Sequence, residues 1–529
     1  MSDAPGEGSA GIVRTSAMVG VGTALSRITG LLRTVVLAYA LGKFVLADAY
    51  NLANTTPNIV YDLILGGVLS ATLVPVFVER FEHDDEDGVN AVITVVVSAL
   101  VALTVASVLT APWIFRAYTW AADKDAADLE RAGVPLLRLL LPQVLFYGLT
   151  ALGTAVLHAR RRFAAPAFAP VLNNVLVCAV LLWFAHASGR APSVASVVDH
   201  PSRLWLLGGG TTAGIVLMTV VLWPALRRSG WRWRWRFAPR DAAVRKVAAL
   251  SGWTFGYVVA NQIALAIVLA LATGEGPGQA TAYLYAFQFF QLPYGLFAVS
   301  LMTTVTPELA SAASSQNMTR FRDQLSAGIR LMTLVILPSS VGMLVVARPL
   351  IVGLFVHGSF SSSDAVLTAD VLANFAVGLL GFSLYLFVLR GFYALHDTRT
   401  PFVLNLVENG LNVVLAVALV GRFGVQGLAF AYSAAYVVTA ALAFAALRRR
   451  VGRLEGRRLL GSTARVAIAS GVMGAVVWWA TRSIGSPTGS GAILRLVLGV
   501  VVGIVVYGTG VLLLRVEEID ALRRRLRRT

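Results

Sequence analysis

Two arginines stand in an otherwise apolar stretch near the N terminus, "SRITGLLRTVVLAYALG" at residues 26–42. If this stretch crosses a bilayer, Arg27 and Arg33 lie too deep for both side chains to reach the headgroups. A charge near the bilayer centre costs from about 2.5 to more than 10 kcal/mol, so it needs a purpose or a partner. A guanidinium group stays charged and binds phosphate oxygens through a planar fork of donors. The pair therefore predicts a water-filled cavity for an anionic cargo, above all a phosphate or diphosphate.

Charged residues in neighbouring stretches offer a structural alternative. Asp48 opens the next apolar stretch and Asp62 lies within it, so each could pair with an arginine and lock two helices together. In the second half of the chain, Arg390 and Arg399 bracket "GFYALHDT". We predict that these four residues line the cavity or form its ion pairs. Ion pairing and cargo binding do not exclude each other.

A second polar group points to a cation. Glu408 and Asn412 are four residues apart, so they share one face of a helix. Two oxygen ligands inside a membrane could hold Na⁺, or Glu408 could carry a proton. A hydrogen bond between helices is the structural alternative. Asn261, in an earlier apolar stretch, is a further candidate.

The composition requires membrane helices to position these residues. The chain has 529 residues, of which 57% are hydrophobic and 13% charged, and its mean hydropathy is +0.73. Soluble domains carry about 25% charged residues. A helix needs about 20 apolar residues to cross a bilayer, and such windows fill nearly the whole chain. We predict an all-α polytopic membrane protein with about fourteen transmembrane helices.

The net charge of +17 follows a pattern along the chain. The basic residues concentrate in alternate short loops, at residues 160–162, 227–246 and 448–458 and in the C-terminal "RRRLRRT". This distribution follows the positive-inside rule, so we predict that both termini are cytoplasmic and that the chain binds no nucleic acid.

The two halves of the chain resemble each other. "HARRRFAAPAFAPVLNN" (158–174) aligns with "YALHDTRTPFVLNLVEN" (393–409), "TAPWI" (110–114) with "ARPLI" (347–351), and "ATLVPVF" (71–77) with "TTVTPEL" (303–309). All three offsets are about 235 residues. We infer a duplicated unit of six spans, so two pseudo-symmetric lobes would face a central cavity, as in alternating-access transporters.

These patterns divide the chain into seven parts. They are a cytoplasmic tail (1–15), an N-terminal six-span lobe (16–226), a basic cytoplasmic linker (227–246), a C-terminal six-span lobe (247–447), a basic cytoplasmic loop (448–461), two further spans (462–514) and a basic cytoplasmic tail (515–529).

The linker contains the unusual sequence "WRWRWRF" at residues 231–237. Alternating tryptophan and arginine is typical of a segment at the membrane surface, where the rings lie among the headgroups and the guanidinium groups contact phosphates. We predict such an anchor. A specific regulatory lipid site is the alternative.

Several motifs of enzymes are missing from the sequence. It contains no GxxxxGK[ST] phosphate loop, no HExxH and no paired-cysteine zinc spacing, and its one cysteine is Cys178. We therefore predict no ATPase domain, no metal site, no cofactor and no enzymatic activity.

At the level of motifs the chain resembles a known family. "SRITGLLRTVVLAYALG", "ADAYNLANTTPNIVYDLI" and "GGVLSATLVPVFVERF" resemble the N-terminal signature of the MurJ/MviN family, and "RGFYALHDTRTPF" resembles its second-half signature. This family comprises bacterial lipid II flippases of the MATE-like multidrug/oligosaccharidyl-lipid/polysaccharide exporter superfamily. The resemblance runs over essentially the whole chain.

The resemblance implies specific roles for residues. Arg27 and Arg33 match arginines that contact the diphosphate of the cargo, and Asp48 and Arg399 match further charged positions of the family. The two spans from about residue 462 would form a groove for the polyprenyl tail. The family's cation site, in spans seven, eleven and twelve, corresponds loosely to Asn261, Glu408, Asn412 and Ser433.

Two stretches depart from the family pattern. Many relatives carry arginine and glutamate after the "PN" of the second span, where this chain has "PNIVYDLILGG". Relatives also carry an Asp-Arg pair in the eighth span, where this chain has Phe287 and Gln288 in "YAFQFFQLP". Part of the family's charged cavity is therefore absent.

Together these features predict a monomeric, multi-pass flippase of the bacterial cytoplasmic (inner) membrane. It would move lipid II, a polyprenyl-diphosphate-linked peptidoglycan precursor, to the outer leaflet during cell-wall synthesis, driven by Na⁺, H⁺ or the membrane potential. Its partners would be lipid II, membrane phospholipids and proteins of cell-wall synthesis. The alternatives are a flippase for another lipid-linked glycan, a drug/cation antiporter and a non-transporting scaffold of cell-wall synthesis.

Overall fold

A computed structural model of the chain describes residues 7–42, 44–64, 73–122, 126–189, 192–452, 456–483 and 489–518, with side chains outside 7–17, 60–64 and 249–255. These residues form helices and connecting turns, with no β-strand among them. They group into two compact units, residues 1–278 and residues 279–529.

The first unit contains thirteen α-helices among the described residues. They are α1 (Glu7–Leu41), α2 (Val45–Ile64), α3 (Val74–Glu82), α4 (Glu86–Leu109), α5 (Ala111–Thr119), α6 (Ala126–Leu140), α7 (Gln143–Ala159), α8 (Ala164–Ser188), α9 (Val194–Val198), α10 (Pro201–Leu204), α11 (Gly210–Val220), α12 (Leu222–Arg228) and α13 (Ala242–Gly274). Helix α1 packs on α8, α2 on α6 and α7, and α13 on α2, α4 and α5.

The second unit contains seven longer α-helices among the described residues. They are α14 (Gln279–Pro293), α15 (Val299–Ser314), α16 (Met318–Phe355), α17 (Ser362–Ala394), α18 (Arg399–Val451), α19 (Gly456–Ser483) and α20 (Ser490–Leu513). Helices α16, α17 and α18 pack in series, and α19 and α20 pack on α16 and on each other.

Twelve helical segments of the described residues are long and apolar enough to cross a membrane. One of them, α18, has 53 residues and would be about 80 Å long, far more than one crossing needs. It is two helices joined at Gly424, where φ is 58° and ψ is −147°. The apolar stretch that Asp48 opens continues through residues 65–72, which lie outside the described part. The all-helical membrane fold is therefore confirmed, whereas the count of fourteen spans is not.

Proline divides several predicted spans into two helices. Helix α4 gives way to α5 at Thr110, with Pro112 in the first turn of α5, and α6 gives way to α7 at Pro142. Proline lacks a backbone N–H, which a first helical turn does not need. These crossings therefore bend without exposing additional backbone donors.

The predicted repeat is visible in the backbone at the start of α8 and of α18. Arg161 and His396 both adopt left-handed conformations, with φ of 56° and 57°. Each helix begins three residues later, after Phe163 or Thr398, and both of these residues have φ −102° and ψ −18°. Two different sequences thus form the same turn at the offset that the alignment predicts.

A second pair of turns repeats at the start of α4 and of α16. Asp84 and Gln316 are left-handed, with φ of 52° and 55°. Each is followed by an N-cap residue, Asp85 or Asn317, whose side chain accepts a hydrogen bond from the backbone N–H three residues on, at 2.8 and 2.9 Å. The duplication therefore extends to the caps of the helices.

Helix α13 starts about 235 residues after α1 and is its counterpart in the repeat. Their packing differs, because α1 lies on α8, whereas α13 lies on α2, α4 and α5 of the first unit. The predicted lobes, 16–226 and 247–447, follow the sequence repeat and stay predictions. The compact units follow the packing of the described helices.

The linker segment 231–237 is extended and lies against α4. The backbone N–H of Arg234 donates to Oδ1 of Asn90 at 3.2 Å, and that of Arg236 donates to Oγ1 of Thr94 at 3.1 Å. Both acceptor residues are buried in α4. The strict alternation of the sequence suits this strand-like attachment, in which every second N–H faces the helix.

Ion pairs strengthen the attachment of the linker. Arg236 pairs with Asp87 at 3.0 Å, and Lys246 pairs with Glu79 at 2.5 Å. The rings of Trp235 remain exposed, as an anchor at the headgroups requires. The predicted membrane contact of this segment stays a prediction.

A buried ion pair fixes the chain after α20. Nε of Arg330, in α16, donates to Oε1 of Glu518 at 2.6 Å, and the two side chains are only 10% and 5% exposed. The hydroxyl of Ser462 donates to the other carboxylate oxygen at 3.0 Å. The neighbouring pair, Arg458 with Glu517, is about half exposed at both ends.

The attachment of the linker can be tested by removing its acceptors. We expect the double substitution Asn90→Ala and Thr94→Val to weaken the attachment by about 1.5–4.5 kcal/mol. Three hydrogen bonds are lost, because Oγ1 of Thr94 also accepts one from the indole N–H of Trp233 at 3.2 Å. Trypsin should then cut after Arg232 and Arg234 at least about fivefold faster. The matched control is Thr104→Val, in the same helix, which should leave the cleavage rate unchanged. Equal rates in both variants would show that these bonds do not hold the linker.

The two neighbouring glutamates provide a matched test of burial. Glu518→Ala should destabilise the protein by about 3–5 kcal/mol, because Arg330 keeps a buried charge without its carboxylate. Glu517→Ala should cost less than about 1 kcal/mol, because its pair is screened by solvent. Thermal unfolding of the purified chain in detergent measures both. A similar loss for the two variants would contradict the structural role of the buried pair.

Candidate functional site

The position of Arg33 follows from the packing of α1 on α8. Small residues allow close approach, since a Cβ at Gly22 would lie 2.8 Å from the Cβ of Ala167. The side-chain amide of Asn174 donates to the carbonyl of Ser26 at 3.2 Å. Arg33 lies on the same side of α1 and is half-buried.

Arg33 lies within electrostatic reach of two buried side chains. They are Tyr50, in α2, and Cys178, in α8. The hydroxyl of Tyr50 is also hydrogen-bonded to that of Thr211 at 2.9 Å. The guanidinium group is therefore placed among helices α1, α2 and α8 of the first unit.

Arg27 lies on a different face of α1 and is exposed. At 100° per residue it points about 120° away from an apolar stripe on the same helix. That stripe consists of exposed residues: Val21, Leu25, Ile28, Leu32 and Tyr39. The exposed surface of α1 is thus divided into an apolar stripe and a polar stripe that contains Arg27 and Thr23. An exposed charge at this depth requires water or an anion beside it.

Neither arginine forms an ion pair with a carboxylate among the described side chains. Asp48 is buried and accepts a hydrogen bond from the backbone N–H of Gly278 at 2.5 Å. It therefore joins the first turn of α2 to the end of the first unit. The side chain of Asp62 lies outside the described part. Among the described side chains, Asp48 forms no ion pair with Arg27 or Arg33 of α1.

The two arginines of the second half lie at the ends of α17 and α18. Arg390 is exposed and borders a hollow of about 380 Å³ together with Tyr294, Thr303 and Thr306. Arg399 is exposed at the first position of α18. Both positions stay candidates for contact with an anion.

The turn before Arg399 is fixed by Asp397. Its carboxylate accepts hydrogen bonds from the hydroxyl and the N–H of Thr400, at 2.6 and 3.0 Å, and pairs with Arg450. Burial raises the pKa of Asp397, but the hydrogen bonds from Thr400 and the charge of Arg450 outweigh it and hold that pKa below its usual value. The sequence reasoning passed over this residue, whose position three residues before Thr400 is typical of a capping contact at a helix N terminus.

Glu408 and Asn412 lie buried on one face of α18, 1% and 5% exposed. One oxygen of Glu408 accepts a hydrogen bond from the hydroxyl of Tyr436. The other, Oε2, and Oδ1 of Asn412 accept no hydrogen bond from the described residues. Two buried oxygens one helical turn apart, each with free lone pairs, have the donor chemistry that Na⁺ or a proton requires.

An aromatic wall surrounds this acidic group. The rings of Tyr436 and Tyr432 have centroids 4.7 Å apart, and Tyr432 contacts Phe375 and Phe287 at 5.5 Å. These residues come from α14, α17 and α18, so no local spacing in the sequence predicts their meeting. The sequence reasoning therefore missed Tyr436 as the hydrogen-bond donor to Glu408.

The other two cation candidates have different surroundings. The hydroxyl of Ser433 donates to the carbonyl of Asn374 at 2.7 Å and approaches that of Phe375 at 3.1 Å. A Cβ at Gly378 would lie 2.4 Å from the Cα of Ser433, so the position is also a close contact between α17 and α18. Asn261 is half-buried in α13 of the first unit. Among the described residues, no cluster of three His, Cys, Asp or Glu side chains could hold a metal ion.

The second unit contains an apolar cavity of about 560 Å³ between α16, α17, α18 and α19. Its walls are mainly Leu, Val, Ile and Ala, and Arg448 is its one charged lining residue among the described side chains. Helix α19 contributes Leu459 and Leu460, whereas α20 contributes none of the described lining residues. The cavity has the shape and chemistry of a site for a hydrocarbon chain.

Comparisons with known proteins show the family of the chain. The family model described as lipid II flippase MurJ matches residues 37–499. A relative from Rhizobium meliloti, named "Probable lipid II flippase MurJ", is 30% identical over 91% of this chain and 89% of its own length. A relative of the same name from Haemophilus influenzae is 27% identical over 94% of this chain and 98% of its own.

Solved structures share the fold. The structure titled "Lipid II flippase MurJ, inward closed conformation" has a TM-score of 0.77 at 22% identity, over 94% of this chain and 99% of its own. An inward-facing MATE multidrug transporter has a TM-score of 0.67 at 15% identity, over 80% of this chain and 94% of its own. Because the family model spans most of the sequence and the relatives align over nearly their whole length, the chain belongs to the lipid II flippase MurJ family.

Proposed function

We propose that this chain is a flippase that moves lipid II from the inner to the outer leaflet of the bacterial cytoplasmic membrane. The observation that carries this proposal is Arg27, an exposed, unpaired charge on the polar stripe of a membrane helix. Such a charge is stable only beside water or an anion. In a family named for a diphosphate lipid, the diphosphate is the anion that best explains it.

The two arginines of α1 would have different roles in binding the diphosphate. Arg27, which is exposed, would meet the diphosphate directly through bidentate hydrogen bonds. Arg33, which is half-buried between α2 and α8, would add positive potential and fix the depth of the phosphate. The sugar and peptide would remain in the aqueous part of the cavity, where burial of their polar groups costs little.

The polyprenyl tail needs a separate, apolar place. The cavity of about 560 Å³ beside α19 would hold part of this tail. Arg448 is the charged residue among the described side chains that line this cavity. The predicted groove of the two last spans would in that case be formed by α19 together with α16, α17 and α18. The chain would act as a transporter, not as an enzyme, since the proposed cycle makes and breaks no covalent bond.

The orientation follows from the basic residues. With residues 227–246 and 448–461 in the cytoplasm, both termini are cytoplasmic and the chain is a multi-pass protein of the inner membrane. Proteins of cell-wall synthesis would be its partners, and a monomer would suffice for transport.

A cation bound by Glu408 and Asn412 would couple transport to a gradient. Their free oxygens could hold Na⁺, or Glu408 could take up a proton and leave the Tyr436 hydrogen bond in place. Ser433, whose hydroxyl already donates to a backbone carbonyl, would contribute at most its lone pairs. Asn261 stays a candidate from the family pattern alone.

A flippase for another lipid-linked glycan is the second candidate. It is favoured by Phe287, which occupies the place of a charged residue in the family pattern and contacts Phe375 and Tyr432 at 5.5 Å. An apolar wall there would alter recognition of the polar head of the cargo. The phosphate-binding part of the proposal is common to both candidates.

The transport role of Arg27 can be tested in cells that depend on this chain. Arg27→Ala should abolish rescue of a conditional flippase deletion and lower the export of lipid II at least about tenfold, because the phosphate contact is lost. Arg27→Lys should retain part of the activity, since it keeps the charge without the fork. Arg131→Ala, which removes an exposed pair with Asp199, is the control.

Membrane insertion and expression must be equal for these variants. Normal export by Arg27→Ala would remove the residue from the mechanism. Failure of the wild type to rescue despite good expression, combined with export of a different lipid-linked glycan, would favour the second candidate.

The cation site can be tested by the stabilising effect of Na⁺ on the purified chain. A bound ion raises the unfolding temperature with concentration, so Glu408→Gln and Asn412→Ala should weaken the apparent Na⁺ affinity at least about tenfold. Glu308→Gln, which changes an exposed glutamate, should not. A stabilisation that depends on pH, is independent of Na⁺ and is lost in Glu408→Gln would assign the site to a proton. Unchanged Na⁺ stabilisation in both site variants would contradict the site.

A further inference from the structure

A second large cavity of the second unit, of about 680 Å³, is lined by basic residues. It lies between the C-terminal parts of α16 and α19 and the first turns of α17 and α20. The apolar cavity beside Leu459 lies at the opposite ends of α16 and α19. The same pair of helices therefore carries an apolar cavity at one end and a charged cavity at the other.

Close helix contacts give this charged cavity fixed walls. A Cβ at Gly499, in α20, would lie 3.1 Å from Val346 and 3.2 Å from Thr481. A Cβ at Gly353, near the end of α16, would lie 3.3 Å from the backbone nitrogen of Ile493. The three helices thus pack tightly beside the cavity, and the opening is a feature of their packing.

Three arginines and one aspartate line the cavity: Arg348, Arg482, Arg495 and Asp370. Arg348 approaches Asp370 at 3.4 Å, with both side chains partly exposed. The guanidinium group of Arg482 lies 4.0 Å from the centre of the Trp478 ring. Among the described residues that line the cavity, three are arginines and one is an acid, so the lining carries an excess of positive charge.

The concentration of arginine here runs against the charge distribution of the rest of the chain. This end of the unit is opposite the basic loop 448–461, on the side where the positive-inside rule depletes arginine. Among the described residues of the second unit, the arginines on this side are the three that line the cavity and Arg422. Three of these four arginines therefore line a single cavity, which random placement of arginines in the loops does not explain.

The surroundings of the cavity place it at the level of the headgroups. Trp478 and Trp479, in the last two turns of α19, are 49% and 68% exposed, as in an aromatic belt. Leu344 and Val366 line the cavity and are exposed as well. The cavity thus offers positive donors beside an apolar surface that is open to the bilayer.

We propose that this cavity binds one anionic phospholipid of the phosphatidylglycerol type, from the leaflet opposite the loop 448–461. Its phosphate lies between Arg348 and Arg482, with Arg495 adding positive potential, and one acyl chain follows Leu344 and Val366. A phosphate diester is the anion that combines this charge with a hydrocarbon chain at this depth. The site is independent of the cargo site on α1.

The proposal can be tested by counting lipids bound to the full chain in a mild detergent by native mass spectrometry. The probes are phosphatidylglycerol and phosphatidylcholine with the same acyl chains. Arg482→Gln with Arg495→Gln should weaken phosphatidylglycerol binding at least about tenfold and leave the weak phosphatidylcholine binding unchanged. Arg482→Lys with Arg495→Lys should retain most of the binding, because the charge is kept.

Arg422→Gln is the matched control, because Arg422 also lies on this side of the unit and beside an aromatic ring, that of Phe423, at 5.6 Å. If the double glutamine variant does not fold, Arg348→Gln, whose side chain is 65% exposed, replaces it with an expected loss of at least about threefold. An equal loss in Arg422→Gln, or binding of both lipids alike, would overturn the proposal.

Competition with two other phosphate compounds shows which kind of phosphate the cavity binds. Displacement of phosphatidylglycerol by inorganic phosphate would assign the cavity to a soluble anion, and displacement by an equimolar polyprenyl diphosphate would assign it to the cargo. Either result would overturn the phospholipid. Retention of phosphatidylglycerol by Arg27→Ala, whatever its transport activity, would support a site separate from that on α1.

Discussion

The high free-energy cost of a polar group in hydrocarbon determines most of this structure. Every backbone donor and every charge within the bilayer must find a partner, water or an ion. Ser and Thr side chains in the helices therefore donate to carbonyls one turn earlier, as Thr29 does to Leu25 at 2.8 Å and Ser470 to Val466 at 2.7 Å. Against this background, Oε2 of Glu408 and Oδ1 of Asn412, which accept no hydrogen bond from the described residues, are candidates for binding a cation.

Close packing of small residues determines where those places lie. Gly22 brings α1 against α8 and so sets the position of Arg33, while Gly378 brings α17 against α18 at Ser433. Without a hydrophobic driving force between helices, such contacts depend on shape and on hydrogen bonds. The positions of these two candidate residues therefore depend on the close helix contacts that Gly22 and Gly378 allow.

The sequence predicted the membrane fold and the repeat because these depend on local composition and spacing, whereas the depth of Arg27 in the bilayer stays a prediction. It could not predict partners that are distant in the chain. Glu518 bonds Arg330 across 188 residues, and Tyr436 meets Glu408 only because α18 folds back at Gly424. For the same reason the sequence did not predict the hydrogen bond that Asp48 accepts from the backbone N–H of Gly278.

The paired turns at Arg161 and His396 carry a consequence for the evolution of the chain. Residues other than glycine rarely adopt a positive φ. Both turns nevertheless have a positive φ, one at an arginine and the other at a histidine. The two halves thus keep the same backbone geometry at this turn with different amino acids. In this chain, the conformation of the turns therefore reveals the relation between the two halves at positions where the residues themselves do not.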